Sequence, residues 1–222
     1  MSFSYRFVVI TALFVTCLLT ANIVGVKFAN FGPVNLPAAV ILFPFSYIFG
    51  DILTEVYGYR RARRVIWLGF LCNLVFVIFA WAGQKLPPAP LWEGQQAYEA
   101  ILGYTPRLLV ASFLGYFAGE FGNSFVLAKM KILTRGRWLW MRTIGSSVVG
   151  EGLDSAIFIT GAYFGAPFFT PITILYHSLA KVGIEALATP LTYRVVNFLK
   201  KKEGIDTYDY ETNFNPFLVT EE

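Results

Sequence analysis

Asp51, Glu55, Glu120, Glu151, Asp154, Lys181 and Glu185 all fall inside long apolar runs, as does the single histidine, His177. One charged side chain at the centre of a membrane helix costs about 2.5–3.5 kcal/mol. Seven in a chain of 222 residues are therefore expected only if they face one another, water or a ligand. Their spacing supports a shared interior. Asp51 and Glu55 stand four apart and Glu151 and Asp154 three apart, so each pair shares a helix face. His177, Lys181 and Glu185 form an i, i+4, i+8 stripe, and Glu120 with Asn123 makes a fourth polar pair. Four runs thus each present one polar stripe, which a bundle can bury around a cavity. Carboxylates there can accept from a polar ligand or carry a proton, so the pattern points to a small-molecule carrier.

Each residue also has a plainer reading. Glu55 could neutralise the basic cluster Arg60 to Arg64, Lys181 and Glu185 could be a structural ion pair, and His177 could simply hydrogen-bond within the bundle. Asp51 and Asp154 resist such readings, being deep and without a basic neighbour on their own helix. No catalytic residues are assigned. Asp51 with Asp154 could mimic an aspartyl protease and a serine with His177 a serine protease, but GxGD, G-x-S-x-G and HExxH are all missing from the sequence. No metal site or cofactor is expected either. Cys17 and Cys72 lack the spacing of metal ligands and read as packing residues.

The elements that must position these side chains are membrane spans. Apolar residues make up 56% of the chain and charged residues 14%, against roughly 25% charged in a soluble domain. The apolar residues cluster in blocks of about 20, the length that crosses ~30 Å of hydrocarbon. Six spans are expected, at residues 6–28, 36–58, 64–84, 106–128, 143–165 and 171–199, the second interrupted at Pro44. The first is too long for a signal-peptide core and no A-x-A site follows, so it reads as a retained helix. The fold class is an all-α membrane protein, with a transporter domain at 1–202 and a polar, disordered tail at 203–222. Fourteen Lys and Arg fall on the side of the termini and three (Lys27, Lys85 and Arg107) on the other, which predicts cytoplasmic termini. That placement also explains the net charge of +4 without nucleic acid. Tyr57, Tyr59, Trp67, Trp81, Trp138 and Trp140 are expected at the membrane interfaces.

Several motifs carry a family resemblance across nearly the whole chain. The most specific is "FPFSYIFGDILTEVYGYRRARRVIWLGF", residues 43–70; others are "TPRLLVASFLGY", "RTIGSSVVGE", "LDSAIF" and "AKVGIEALATP". In these the chain resembles the queuosine precursor transporter family, part of a vitamin-uptake transporter group. It departs from the family's pattern at Asn123, often Asp; at Glu151, often Gln or Asn; and at Ala188, often Asp. The resemblance implies a multi-pass protein of the bacterial inner membrane that imports a 7-deazaguanine such as 7-cyano- or 7-aminomethyl-7-deazaguanine, queuine or queuosine, for tRNA modification. Arg107 and Arg142, within the matching motifs, are then structural or coupling residues, as is Glu55. A guanine-like edge suits a carboxylate acceptor, here Glu120 or Glu151 with Asp154. Lys181, His177 or Asn123 could donate to its O6, and Phe117, Phe121, Phe158 or Tyr47 could stack on its face. Asp51 and Lys181 would then hold the ion pairing or carry a coupled proton.

Two other function classes remain open. A binding subunit needing an energising ATPase partner fits a six-helix chain without the GxxxxGK[ST] phosphate loop. An intramembrane enzyme fits less well. A homodimer is compatible with every reading, and no nucleic-acid partner is expected.

Overall fold

The computed structural model describes residues 4–32, 34–103, 106–165 and 170–218. Residues 104–105 of the expected external loop and 219–222 of the tail lie outside them. The long helices are α1 (Tyr5–Val24), α2 (Phe43–Tyr57), α3 (Tyr59–Lys85), α5 (Pro106–Leu133), α6 (Leu139–Tyr163) and α7 (Pro171–Glu203). A short α4 (Gln95–Leu102) lies between α3 and α5. Between α1 and α2 runs an antiparallel hairpin, β1 (Phe28–Phe31) and β2 (Val34–Pro37). The chain is an all-α membrane protein with this one small hairpin added.

Among the described residues, four candidate spans are long and apolar enough to cross a membrane: Tyr5–Val24, Ala38–Tyr57, Tyr59–Lys85 and one within Gln95–Leu133. Helices α6 and α7 have the length, at 25 and 33 residues, but carry the charged stripes. The bundle makes their passage tolerable by burying Arg142, Glu151, Asp154, Lys181 and Glu185 to 5% exposure or less. Outward-facing positions such as Phe79, Leu114 and Leu187 are exposed and apolar, as lipid contact requires.

The second span begins later than the apolar pattern suggests. A 3-10 turn (Ala38–Ile41) follows the hairpin, and α2 starts at Phe43 with Pro44 in its first turn. Proline lacks an N–H, and the first turn is the one place in a helix where that costs no hydrogen bond. Helix α2 alone is therefore about 22 Å long, shorter than the hydrocarbon core. With the 3-10 turn added, the helical stretch Ala38–Tyr57 reaches 20 residues, the length that crosses.

Helices α5 and α6 cross most closely. A Cβ on Gly119 would lie 3.0 Å from the Gly150 carbonyl oxygen, and one on Gly150 would lie 2.6 Å from Asn123 Cβ. Small residues here let two backbones meet, the usual way membrane helices associate without a hydrophobic drive. The apolar core on the other side joins Phe7, Phe14 and Leu18 of α1 to Ile52 and Val56 of α2 and Ile66 of α3.

The two ends of the chain meet. Ser4 Oγ caps α1 by accepting from Phe7 N at 3.1 Å and donates to Glu203 Oε1 at 2.7 Å. The hairpin and α4 lie at the opposite end of the bundle.

The tail is not disordered up to residue 218. Gly204, in the left-handed region at φ 65°, ends α7 and turns the chain back along α3. The Asp209 carboxylate accepts from Tyr59 N at 3.0 and 3.2 Å. It thus caps a helix whose own N-cap, Gly58, has no side chain to do so. Tyr59 Oη donates to Phe214 O at 3.0 Å, Arg63 Nη1 to Asn213 O and Asn215 O at 2.9 and 2.7 Å, and Trp67 Nε1 to Pro216 O at 2.8 Å. Tyr57 and Tyr59 are buried and Trp67 is half-buried under the tail. Trp138 and Trp140 stay exposed at the start of α6 and Trp81 near the end of α3.

Candidate functional site

The polar residues form a ladder through the bundle because α2, α5, α6 and α7 each offer one about every turn. Helix α2 contributes Phe43, Tyr47, Asp51 and Glu55 at four-residue intervals, and α7 contributes His177, Lys181 and Glu185. On α5 the series is Ser112, Tyr116, Glu120 and Asn123; on α6 it is Asp154, Glu151 and Ser147.

At the end opposite the termini this ladder opens into a cavity of about 330 Å³. That is within the usual size range of small-molecule pockets. Its aromatic walls are Phe28, Phe43, Tyr116, Phe158 and Tyr163, and its polar lining includes Asn22, Asn73, Ser112, Asp154 and His177. Phe158 lies edge-on to Tyr163, with ring centroids 5.9 Å apart, and 6.4 Å from the His177 ring. Ser155 Oγ and His177 Nδ1 share a hydrogen bond of 2.9 Å, which leaves the other ring nitrogen for a ligand. Asn22 Nδ2 donates to Asn73 Oδ1 at 2.8 Å.

Asp154 connects the cavity to the ion pairs behind it. One of its oxygens accepts from Lys181, and the other lies against Gly115, where a Cβ would be only 2.9 Å away. Lys181 Nζ also meets Glu151 Oε2 at 2.9 Å and stands 4.6 Å from the Phe43 ring centroid. The structural pair Lys181–Glu185 is thus not formed. Lys181 instead bridges two carboxylates of α6, while Glu185 accepts from Ser147 Oγ.

Behind this layer lie Asp51, Glu120, Asn123 and Glu185, all at 2% exposure or less. Asn123 Nδ2 donates to Asp51 Oδ1 at 2.7 Å, and neither oxygen of Glu120 has a hydrogen-bond partner among the described residues. Of the expected site residues, Asp154 and His177 line the cavity; Lys181 and Glu151 stand behind Asp154, and the other four lie deeper.

Two expected stacking residues lie elsewhere. Phe117 and Phe121 pack with Trp67, and Phe117 stacks on Phe217 of the tail at 5.8 Å. Tyr47 is buried beside Gly119 and Gly150, outside the cavity wall. Of the four proposed rings, Phe158 alone reaches the cavity. The neutral polar liners Asn22, Asn73 and Ser112 escape a reading based on charge. Their signal is subtler: uncharged hydrogen-bonding side chains inside apolar runs.

The third set of charges closes the ladder beside the termini. Glu55 Oε1 accepts from Arg142 Nη2 at 2.7 Å and from Lys200 Nζ at 2.6 Å, with Lys131 Nζ at 3.6 Å. These partners come from the end of α5, the start of α6 and the end of α7, rather than from Arg60 to Arg64. Lys131 also donates to Asp206 at 2.5 Å, and Lys200 stands 2.9 Å from it. Partial burial pushes the Asp206 carboxyl up, but these two ammonium groups outweigh it and hold it below the ordinary carboxylate range. Arg107 does a similar job at the other end, donating to Gly161 O at 2.7 Å and Phe164 O at 2.6 Å. Both satisfy carbonyls at the end of α6. Neither Arg107 nor Arg142 touches the cavity.

A family model described as "Putative vitamin uptake transporter" matches residues 37–195, which spans every charged residue of the ladder from Asp51 to Glu185. The chain belongs to that family. Among curated proteins it is 27% identical over 190 residues to the "Probable queuosine precursor transporter" of Bacillus subtilis (strain 168), covering 82% of this chain and 81% of that one. It is 24% identical over 125 residues to the "Queuosine precursor transporter" of Escherichia coli (strain K12), covering 56% of this chain and 54% of that one. No solved structure matches the chain significantly. The family's matched segment begins at the last residue of β2 and ends within α7. It thereby takes in α2, α5 and α6 and the part of α7 that builds the ladder.

Proposed function

We propose that the chain is a carrier, not an enzyme, that brings a 7-deazaguanine precursor of queuosine across the bacterial inner membrane. The observation that carries this reading is Asp154. It presents a carboxylate, held in place by Lys181, to a cavity walled by Phe43, Phe158 and Tyr163. A guanine-like ring offers two N–H groups on one edge, which a carboxylate accepts side by side. Its O6 needs a donor, which His177 supplies, and its flat faces suit the aromatic walls. Charge asymmetry supports cytoplasmic termini, an orientation that would put the cavity in the outer half of the membrane, ready for uptake. The names of the two curated relatives support the substrate class.

The test is complementation. A bacterial strain unable to make queuosine precursors, supplied with the chain and trace amounts of one base, should regain queuosine in its tRNA. Asp154→Ala should abolish that recovery at normal protein level; full recovery in this variant would defeat the assignment of Asp154. The purified chain reconstituted alone in vesicles should take up the base. Uptake that required an added ATPase subunit would instead make it the binding component of a larger importer.

A further inference from the structure

Resting on the carrier reading, we infer that Asp51 and Glu185 together form a proton-binding site in the middle of the bundle, whose proton drives uptake. Asp51 on α2 is 1% exposed and Glu185 on α7 is 2% exposed. Their side chains stand within hydrogen-bonding reach of each other. Each carboxyl has one oxygen supplied with a donor: Asn123 Nδ2 serves Asp51 Oδ1, and Ser147 Oγ serves Glu185 Oε1. The remaining oxygens, Asp51 Oδ2 and Glu185 Oε2, have no donor among the described residues.

Two carboxylates are acceptors only, so as ions they cannot bond to each other. Two like charges so close also repel strongly in a dry interior. A single shared proton removes both problems, because it turns one carboxyl into a donor for the other. Among the described residues the ion-pair partners of Lys181 are Glu151 and Asp154, and neither Asp51 nor Glu185 is one of them. A metal ion fits poorly, because no group of three His, Cys, Asp or Glu residues among those described is arranged to hold one.

The charged groups around the pair are Glu120 from α5, Glu151 from α6, Glu55 one turn along α2 and Lys181 one turn along α7. The buried face of α1 is apolar (Phe7, Ile10, Phe14, Leu18, Ala21), and Arg63 of α3 is engaged by the tail. Glu120, with both oxygens unpartnered among the described residues, lies one turn from the cavity-lining Tyr116 and offers the proton a step toward the cavity. The site thus lies along the ladder between the substrate cavity and the Glu55 cluster.

Two experiments test this. The first needs no substrate. Infrared difference spectra of the full chain in lipid nanodiscs at neutral pH should show the carbonyl stretch of a protonated carboxyl, with one component lost in Asp51→Asn and in Glu185→Gln. Each amide supplies the N–H that replaces the shared proton, so both variants should fold. A spectrum unchanged by both substitutions overturns the site. The second reads coupling in vesicles, with labelled 7-cyano-7-deazaguanine as probe and a pH-sensitive dye trapped inside. With one proton per base, an inward gradient of one pH unit sustains about tenfold accumulation. This accumulation, and the lumen acidification that accompanies it, should be lost in Glu185→Gln. Accumulation driven equally in both proteins, or by a sodium gradient alone, overturns the coupling. If no deazaguanine enters at all, the carrier reading fails, while the infrared result still decides the proton site.

Discussion

Replacing Lys181 by methionine removes the one ammonium that the deep carboxylates on α6 share. A unit-charge pair at the 2.9 Å separation of Lys181 and Glu151 is worth about 6 kcal/mol at an effective dielectric near 20. Desolvation of the ions offsets much of that, and breaking a buried pair from one side typically costs about 3–5 kcal/mol net. Both partners in this case, Glu151 and Asp154, would be left as uncompensated charges with side chains at most 7% exposed. Lys181→Met is therefore expected to lose stability at the upper part of that range. The assay is reversible unfolding in mixed micelles, followed by loss of helical circular dichroism. The triple variant Lys181→Met, Glu151→Gln, Asp154→Asn removes the stranded charges as well, and should return to within about 2 kcal/mol of the wild type. It should remain unable to bind the base, because the cavity carboxylate has gone. A loss below about 1 kcal/mol in Lys181→Met, or no recovery in the triple variant, would refute an ion-paired interior.

Asp209→Ala removes the cap that the tail provides for α3, and should lower stability by about 0.5–2 kcal/mol in the same assay. Asp206→Asn tests the cluster near the termini through its pH dependence. Because the folded protein holds Asp206 below its ordinary range, its contribution is present above about pH 4 and fades as the pH falls through the folded value. Thermal stability of wild type and Asp206→Asn should accordingly differ at neutral pH and converge in acid; a constant gap would mean that the ammonium contacts are not what Asp206 contributes. Phe158→Ala removes a stacking face from the cavity, and labelled-base binding should weaken by about tenfold or more while expression holds.

The stripes on α2, α5, α6 and α7 were legible because helical periodicity is local. Residues three or four apart share a face whatever the helix packs against. The pairing of those stripes was not. Glu55 finds Arg142 and Lys200, at sequence separations of 87 and 145 residues, and no spacing rule reaches that far. The same limit hid the tail. Its polar composition argues for disorder when taken alone, yet Tyr59, Arg63 and Trp67 form a line of donors along α3 that binds its carbonyls.

What the sequence determined by itself was the number of long helices and which side chains must be hidden together. Lipid offers no partner to a charge or a free peptide group, so apolar length and buried acids announce themselves. What only the tertiary structure decided was the use made of each acid. Close contact of α5 and α6 at Gly119 and Gly150 sets their register. That register, with the placement of α2 and α7, turns Asp154 to the cavity and Glu151 to Lys181, and leaves Asp51 facing Glu185. Rotation and register are properties of the packed bundle, and no single helix contains them.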